Sequence, residues 1–367
     1  MKIKRLSLWH LPLTSHAIYY MPEGKTCDTV ETVILRLDTD TGASGWGEVC
    51  PIPHYLPAYA RGVAPVLQEL APVVLGADPV GPEALMADVD HHLQGHVYAK
   101  SALDMALWDL TARAADMPLC ALLGGQRQPD MPLYHSITCI APEDMARIAR
   151  DAQAQGITQF QVKLGADADP QADIARLTLV REAVGPGPLV YGDWNCGATQ
   201  LEATRVGRAV AHLDVMLEQP CKTLAECAAV KSATGLAMKL DEGAHDTGSL
   251  LEGYQRGIMD AVALKLSKFG GVSATRRARD LCLHLGARMC IEDSWGSDIT
   301  TAALLHLGAA TDPARLLNVC DLSAYVRPRL DPHAPTRKNG RIAPPSGPGL
   351  GVAPDPDLLG QPDMILD

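Results

Sequence analysis

The chain has 367 residues, 47% of them hydrophobic, and a formal net charge of −11. That length suits two or three domains, or one α/β barrel of about 250 residues with an addition, and a chain this long folds without disulfides or a structural metal. The acid excess argues against a nucleic-acid partner, no apolar run reaches the roughly 20 residues of a membrane span, and Trp9-His10-Leu11-Pro12 after the basic start is not a signal-peptide core, so a cytoplasmic protein handling a small molecule is expected.

Residues 1–127 read as an α+β unit. Residues 29–38 alternate and are β-branched, a turn follows at Asp40-Thr41-Gly42, and a short strand lies around Gly45-Trp46-Gly47-Glu48. Helical periodicity covers residues 60–75, limited by Pro65 and Pro72. It returns over 99–114, where Ala102, Met105, Ala106, Leu110 and Ala114 share a face. Over 128–328 the texture changes to short apolar runs at 132–138, 159–165, 189–195, 214–220, 235–243, 261–267, 287–295 and 314–320. Amphipathic stretches such as 172–184, 199–211 and 274–285 separate them. Eight such units are what a (β/α)8 barrel needs, while Ser136-Ile137-Thr138-Cys139 after the first run lacks the glycines of a dinucleotide-binding turn. The fold class expected is α/β, a modified TIM barrel with an N-terminal α+β cap. The Pro- and Gly-rich segment 329–367 is expected to return to that cap. Ten cysteines occur singly, with no CxxC pair, and read as reduced core thiols.

Barrel chemistry sits at the C-terminal ends of strands. Read in order, those ends carry Lys163, Asp193, Glu218, Asp241, Lys265, Glu292 and Asp293. The acids Asp193, Glu218 and Asp241 fall on three adjacent strands about 4.8 Å apart, and so repel one another unless a cation lies between them. Oxygen ligands without His or Cys select a hard ion, best Mg²⁺. Lys163 and Lys265, on the second and sixth strands, face each other across the barrel. A lysine beside a metal ion and partly desolvated has a depressed pKa and is a competent base. A substrate carboxylate with an α-proton fits the set: the ion stabilises the enediolate while a lysine takes the proton.

The sequence resembles the enolase superfamily, specifically its muconate lactonising subgroup. The matching pieces are Gly45-Trp46-Gly47-Glu48, Lys100-Ser101-Ala102-Leu103-Asp104, Leu122-Leu123-Gly124-Gly125, Val162-Lys163-Leu164-Gly165, Asp193-Trp194-Asn195, Glu218-Gln219-Pro220, Asp241-Glu242-Gly243 and residues 265–271. The resemblance implies a capping domain over a modified barrel, Mg²⁺ on Asp193, Glu218 and Asp241, Lys163 and Lys265 as the acid/base pair, and a homo-oligomer. One departure is Gln161 where the subgroup often has lysine. With the stretches 98–104 and 292–299, Gln161 resembles the branch acting on proline derivatives, both cis-3-hydroxy-L-proline dehydratases and hydroxyproline betaine epimerases.

The substrate nitrogen separates the two. A quaternary ammonium favours an aromatic box, whereas a free imino acid offers N–H donors to carboxylates. Residues 318–323 contain one acid, Asp321, and no aromatic, which tilts toward the imino acid. Trp295 and Tyr55 remain as aromatic walls, and Asp293 and Asn195 complete the substrate-binding set. The expected reaction is therefore dehydration of cis-3-hydroxy-L-proline to Δ1-pyrroline-2-carboxylate, with proline betaine or hydroxyproline betaine racemisation or 2-epimerisation as the alternative. The two lysines alone suit either, and which one is the base stays open. A non-catalytic binding protein should lack a lysine or ligand, and none is missing. Lys239, two residues below Asp241, either pairs with a ligand or lies in a core layer. Lys268 has the wrong parity for the site and is assigned to a loop, Glu242 and Glu292 to support of the site, and His135 to structure.

Overall fold

The computed structural model describes every residue except Ala168 and the side chain of Glu23. Its N-terminal part is an antiparallel sheet in which β1 (Ile3–Tyr20) pairs with β2 (Thr26–Thr39), and β2 with β3 (Ser44–Val49). Both faces of this sheet are covered. Leu6, Leu8, Val33, Leu35 and Leu37 join the core formed with α1 (Val63–Val74), α2 (Pro82–His92) and α3 (Val97–Ala114), while Trp9, Ile34 and Trp46 belong to the core of the barrel. Helix α3 crosses so close to β3 that side chains have no room there. A Cβ on Gly47 would sit 1.9 Å from the Ala102 carbonyl oxygen, and one on Gly45 2.5 Å from that of Ala106. β1 was not expected from the sequence, because Pro12 and the polar residues along it hide its alternation.

The second part is a sheet of eight parallel strands in sequential order: β4 (His135–Ile137), β5 (Gln159–Lys163), β6 (Leu189–Asp193), β7 (Met216–Glu218), β8 (Met238–Leu240), β9 (Ala261–Lys265), β10 (Arg288–Glu292) and β11 (Leu316–Val319). A parallel bridge between Leu133 and Val319 joins the two ends of the curl. Two of the intervening helices are started by capping boxes. Thr199 and Thr223 each make a reciprocal capping box with a glutamate three residues on, opening Gln200–Val210 and Leu224–Thr234. Strand register then decides the chemistry. Lys163, Asp193, Glu218 and Lys239 are lateral neighbours on β5 to β8, and Lys265 lies beside Glu292 on β9 and β10. Among the described residues no helix is long and apolar enough to cross a membrane.

Three buried carboxylates tie the parts together. Glu48 accepts hydrogen bonds from Thr32 and from the backbone and hydroxyl groups of both Ser297 and Thr300 at the start of the helix Asp298–Ala309. Asp104 of α3 accepts from the Ser273 amide (2.8 Å) and hydroxyl (2.5 Å), and Trp108 donates to the same hydroxyl. Asp109 takes the amides of Trp46 and Leu350, so the C-terminal segment is fastened to the sheet and α3 at once; residues 364–366 then pair with β1. The motif acids Glu48 and Asp104 are thus clamps between the two parts.

Burial pushes the Asp104 carboxyl up to about 6. A carboxyl raised in the folded state contributes stability that is complete below its unfolded pKa near 4 and is lost as pH rises through 6. The stability difference between wild type and Asp104→Asn, measured by urea unfolding, should therefore shrink by about 3 kcal/mol between pH 4 and pH 7.5. A pH-independent difference would contradict the role given to burial.

Candidate active site

A cavity whose empty volume, counted to its open mouth, is about 630 Å³ opens at the C-terminal end of the barrel, lined from β4, β5, β9, β10 and the segment after β11 and covered by residues of the N-terminal part. Lys163 and Lys265 both line it, one from β5 and the other from β9. Beneath them lie Asp193, Glu218 and Asp241, each at most 1% exposed. Lys163 Nζ donates to Asp193 Oδ2 (2.5 Å) and to Asn195 Oδ1 (2.9 Å), and Lys265 Nζ to Asp241 Oδ2 (2.6 Å).

Carboxylate oxygens of Glu218, Asp241 and Glu292 approach within 4.8 Å of one another, as a metal ion would require. Asp193 borders this group as the register neighbour of Glu218, its Oδ2 turned to Lys163 and Gln161. Glu292, assigned from the sequence to a supporting role, therefore belongs to the acidic floor. Lys239 is fully buried under that floor, 2.8 Å from Glu218 Oε1 and 3.4 Å from Glu292 Oε1, with its ammonium 4.8 Å from the Tyr191 ring centre. The Glu218 contact is ionic without hydrogen-bond geometry, so Oε1 is a buried carboxylate oxygen with no donor.

Lys268 corrects the reading from parity. Strand β9 ends at Lys265, and Leu266–Phe269 form one helical turn that swings Lys268 back, buried, onto Asp241 Oδ1 (2.9 Å) and the Asp241 carbonyl. Six acids (Asp193, Glu218, Asp241, Glu242, Glu292 and Asp293) thus meet four lysines (163, 239, 265 and 268) at this end of the barrel, leaving two formal negative charges uncompensated. A surplus of two, the donorless Glu218 Oε1 and an all-oxygen set fit a hard dication.

The lysines respond to this field. Burial lowers the pKa of Lys163 and of Lys265, but Asp193 and Glu218 around the first and Asp241 and Glu292 around the second outweigh it, and both stand above the ordinary value. The depressed value expected from the sequence is therefore not what the carboxylates alone produce. Burial would raise the Asp241 carboxyl, yet Lys265 and Lys268 on its two oxygens hold it well below the usual range. Burial pushes the Asp293 carboxyl up to about 6.

Of the substrate-binding candidates, Tyr55, Asp293 and Trp295 line the cavity. Tyr55 reaches in from the N-terminal part, donating to Glu242 Oε1 (2.8 Å) and accepting from Lys265 (3.3 Å). Asp293 is buried with both oxygens bonded to Ser267 and one also to the Ser294 amide, which makes it an anchor of that loop. Asn195 opens onto the adjoining cavity and joins Lys163 to Glu242. Asp321 is not among the lining residues. Arg337 donates to its Oδ2 (2.9 Å) and Ser323 to its Oδ1, so its charge is spent inside the fold. His135 stacks against Tyr325, its pKa lowered by burial to about 4.

Sequence reasoning named Tyr55 and Trp295 as aromatic walls but missed Tyr19, Tyr134 and Tyr325. Tyr19, Trp295 and Tyr325 pack with ring centres 5.4 to 6.4 Å apart, and with Tyr55 and Tyr134 they line the cavity. Tyr19 comes from the β1–β2 hairpin, and Tyr325 from just after the last barrel strand. The signal was composition: five of only sixteen aromatic residues gather at one site.

A capped barrel with acids at its strand ends and two lysines facing one cavity is the architecture of an enolase-type enzyme. The family model "Mandelate racemase / muconate lactonizing enzyme, N-terminal domain" matches residues 20–124, and "Enolase C-terminal domain-like" matches 144–358. The chain belongs to the mandelate racemase/muconate lactonizing enzyme family of the enolase superfamily, and it is an enzyme. It is 39% identical to a cis-3-hydroxy-L-proline dehydratase of Roseibium aggregatum over 99% of both chains. To an L-Ala-D/L-Glu epimerase of Bacillus subtilis it is 30% identical, over 89% of this chain and 90% of the other. A crystal structure of an enolase-superfamily member from Roseovarius nubinhibens ISM superimposes with a TM-score of 0.94 at 36% identity, covering 100% of this chain and 99% of that one. Another from that organism, complexed with magnesium, gives 0.94 at 32% identity with full coverage of both chains.

Replacing Lys239 with Met should leave Glu218 and Glu292 without their buried counter-charge and cost about 3–5 kcal/mol of stability in urea unfolding. A loss under 1 kcal/mol would mean that the lysine merely fills space.

Proposed function

We propose that this enzyme is a Mg²⁺-dependent hydro-lyase that dehydrates cis-3-hydroxy-L-proline. The observation that carries the reaction class is the placement of Lys163 and Lys265 on one cavity, above a buried acidic floor with two uncompensated negative charges. The choice of substrate rests on the 39% identity to the Roseibium aggregatum dehydratase across the full length of both chains.

Asp193, Glu218 and Asp241 would hold the ion, with Glu292 beside them. Bound there, a dication neutralises the carboxylates that otherwise engage the lysines and stabilises the negative charge that develops on the substrate carboxylate. The chain's own groups do the rest. One lysine takes the α-proton as its C–H bond breaks, the electron pair forms the Cα–Cβ double bond, and the 3-hydroxyl leaves with a proton from the opposite side. The products are water and the enamine, which tautomerises to Δ1-pyrroline-2-carboxylate. In the cis isomer the α-hydrogen and the hydroxyl lie on opposite ring faces, so two opposed acid/base groups suit an anti elimination. Tyr19, Trp295 and Tyr325 supply an apolar wall that excludes water and offers π-faces to the ring nitrogen's positive charge.

The same wall favours a second reading. With Asp321 engaged by Arg337, a carboxylate waiting for an N–H donor is missing at that strand, and an aromatic box suits a quaternary ammonium. A betaine 2-epimerase would use the same lysines, one removing the α-proton and the other returning a proton to the opposite face.

Incubation with Mg²⁺ in D₂O separates the two. Cis-3-hydroxy-L-proline should be consumed to Δ1-pyrroline-2-carboxylate, while proline betaine and hydroxyproline betaine are recovered without α-deuterium. Deuterium in recovered betaine with no dehydration product would establish the epimerase instead. Lys163→Ala and Lys265→Ala should each lower kcat by about 10²–10⁴-fold with Mg²⁺ binding retained. Full activity in both would overturn the acid/base assignment.

A further inference from the structure

We infer that Gln161 is a positioning residue of the proposed metal centre: its amide, oriented by Ser136, bridges Asp193 Oδ2 and Glu218 Oε2 and so fixes the two carboxylates relative to each other. The inference rests on the metal-centre reading above. Gln161 lies on β5 two residues before Lys163, so both side chains point to the same face of the strand. It is 5% exposed, and every polar atom of its side chain has a partner. Oε1 accepts from Ser136 Oγ (2.7 Å), and Nε2 donates to Asp193 Oδ2 (3.0 Å) and Glu218 Oε2 (2.8 Å).

Two constraints give this amide one orientation. Flipping it would set its oxygen against two buried carboxylate oxygens, and would turn the Ser136 hydroxyl from donor to acceptor. The result is a neutral bridge between acids on two neighbouring strands. Asp193 Oδ2 and Glu218 Oε2 are occupied, Asp193 Oδ1 accepts the Asn195 amide (2.8 Å), and Glu218 Oε1 has no hydrogen bond, only the ion pair with Lys239 (2.8 Å). Gln161 therefore holds Glu218 by Oε2 against Asp193, while Glu218 Oε1 keeps only its ion pair with Lys239.

The neutrality of the bridge matters as much as its geometry. An ammonium at this position would make similar contacts but would cut the uncompensated charge of the floor from two to one. The amide holds the acids in register and leaves the full surplus to the metal. Ser136 touches no candidate ligand and acts only through Gln161.

The test is Mg²⁺ affinity by titration calorimetry on the full chain, for wild type, Gln161→Leu, Ser136→Ala and the double variant. Melting of the EDTA-treated proteins reports on folding, and Gln161→Met serves if the Leu variant does not fold. Removing a hydrogen-bond partner of ligating carboxylates typically weakens metal binding 10–100-fold. Gln161→Leu should raise the Mg²⁺ Kd at least tenfold, Ser136→Ala should raise it severalfold, and the double variant should bind like Gln161→Leu alone. That non-additivity is the signature of a serine acting through the glutamine, and a general loss of structure does not produce it. An unchanged Kd in a folded Gln161 variant, or additive losses in the double variant, would overturn the inference with the metal centre intact. Absence of Mg²⁺ binding by wild type would bring down the metal-centre reading, and this inference with it.

Discussion

The constraint on which the structure turns is electrostatic repulsion in a place without water. Register sets Asp193 beside Glu218, and the curl of the sheet brings Asp241 and Glu292 to the same floor, all of them buried. Acids at such spacing in a low-dielectric interior are tolerated only when opposite charges are built in around them. The lysines answer this need from three directions: Lys239 from below, Lys268 from a helical turn beyond β9, and Lys163 and Lys265 from the rim. The compensation is incomplete, and that incompleteness is what suits the floor to a dication.

The rim lysines serve two requirements that pull apart. As counter-ions they are held protonated by Asp193 and Asp241. In the acid/base role proposed for them, one would have to shed a proton. Lys239 and Lys268 face no such conflict: neither lines the cavity, and their contacts are wholly internal. Four lysines are thus divided by position alone into two buried beneath or beside the floor and two that face the cavity.

How much of this was legible in the sequence depended on whether a residue's neighbours are local. The eight barrel strands repeat as apolar runs, and the strand-end residues 163, 193, 218, 241 and 265 could be read directly from that repeat. Lys268 was misplaced because parity holds only while the strand lasts, and β9 stops at Lys265. Asp321 was offered to substrate because Arg337, sixteen residues on, could not be foreseen as its partner. Tyr19 and Tyr325 lie more than 300 residues apart in the chain, and nothing local marks two tyrosines as facing edges of one wall.

The sheet that covers the site is assembled from both halves of the polypeptide's path. Its inner strands come from the first fifty residues, but β1 receives partners from 326–327 and 364–366, and α3 is fastened through Asp109 to Leu350. During synthesis the sheet of residues 3–49 must therefore wait with an open edge for residues 326–366, which are made later. The sheet over the site is thus begun early and completed late, so the cavity has its full wall only once residues 325–366 have been made.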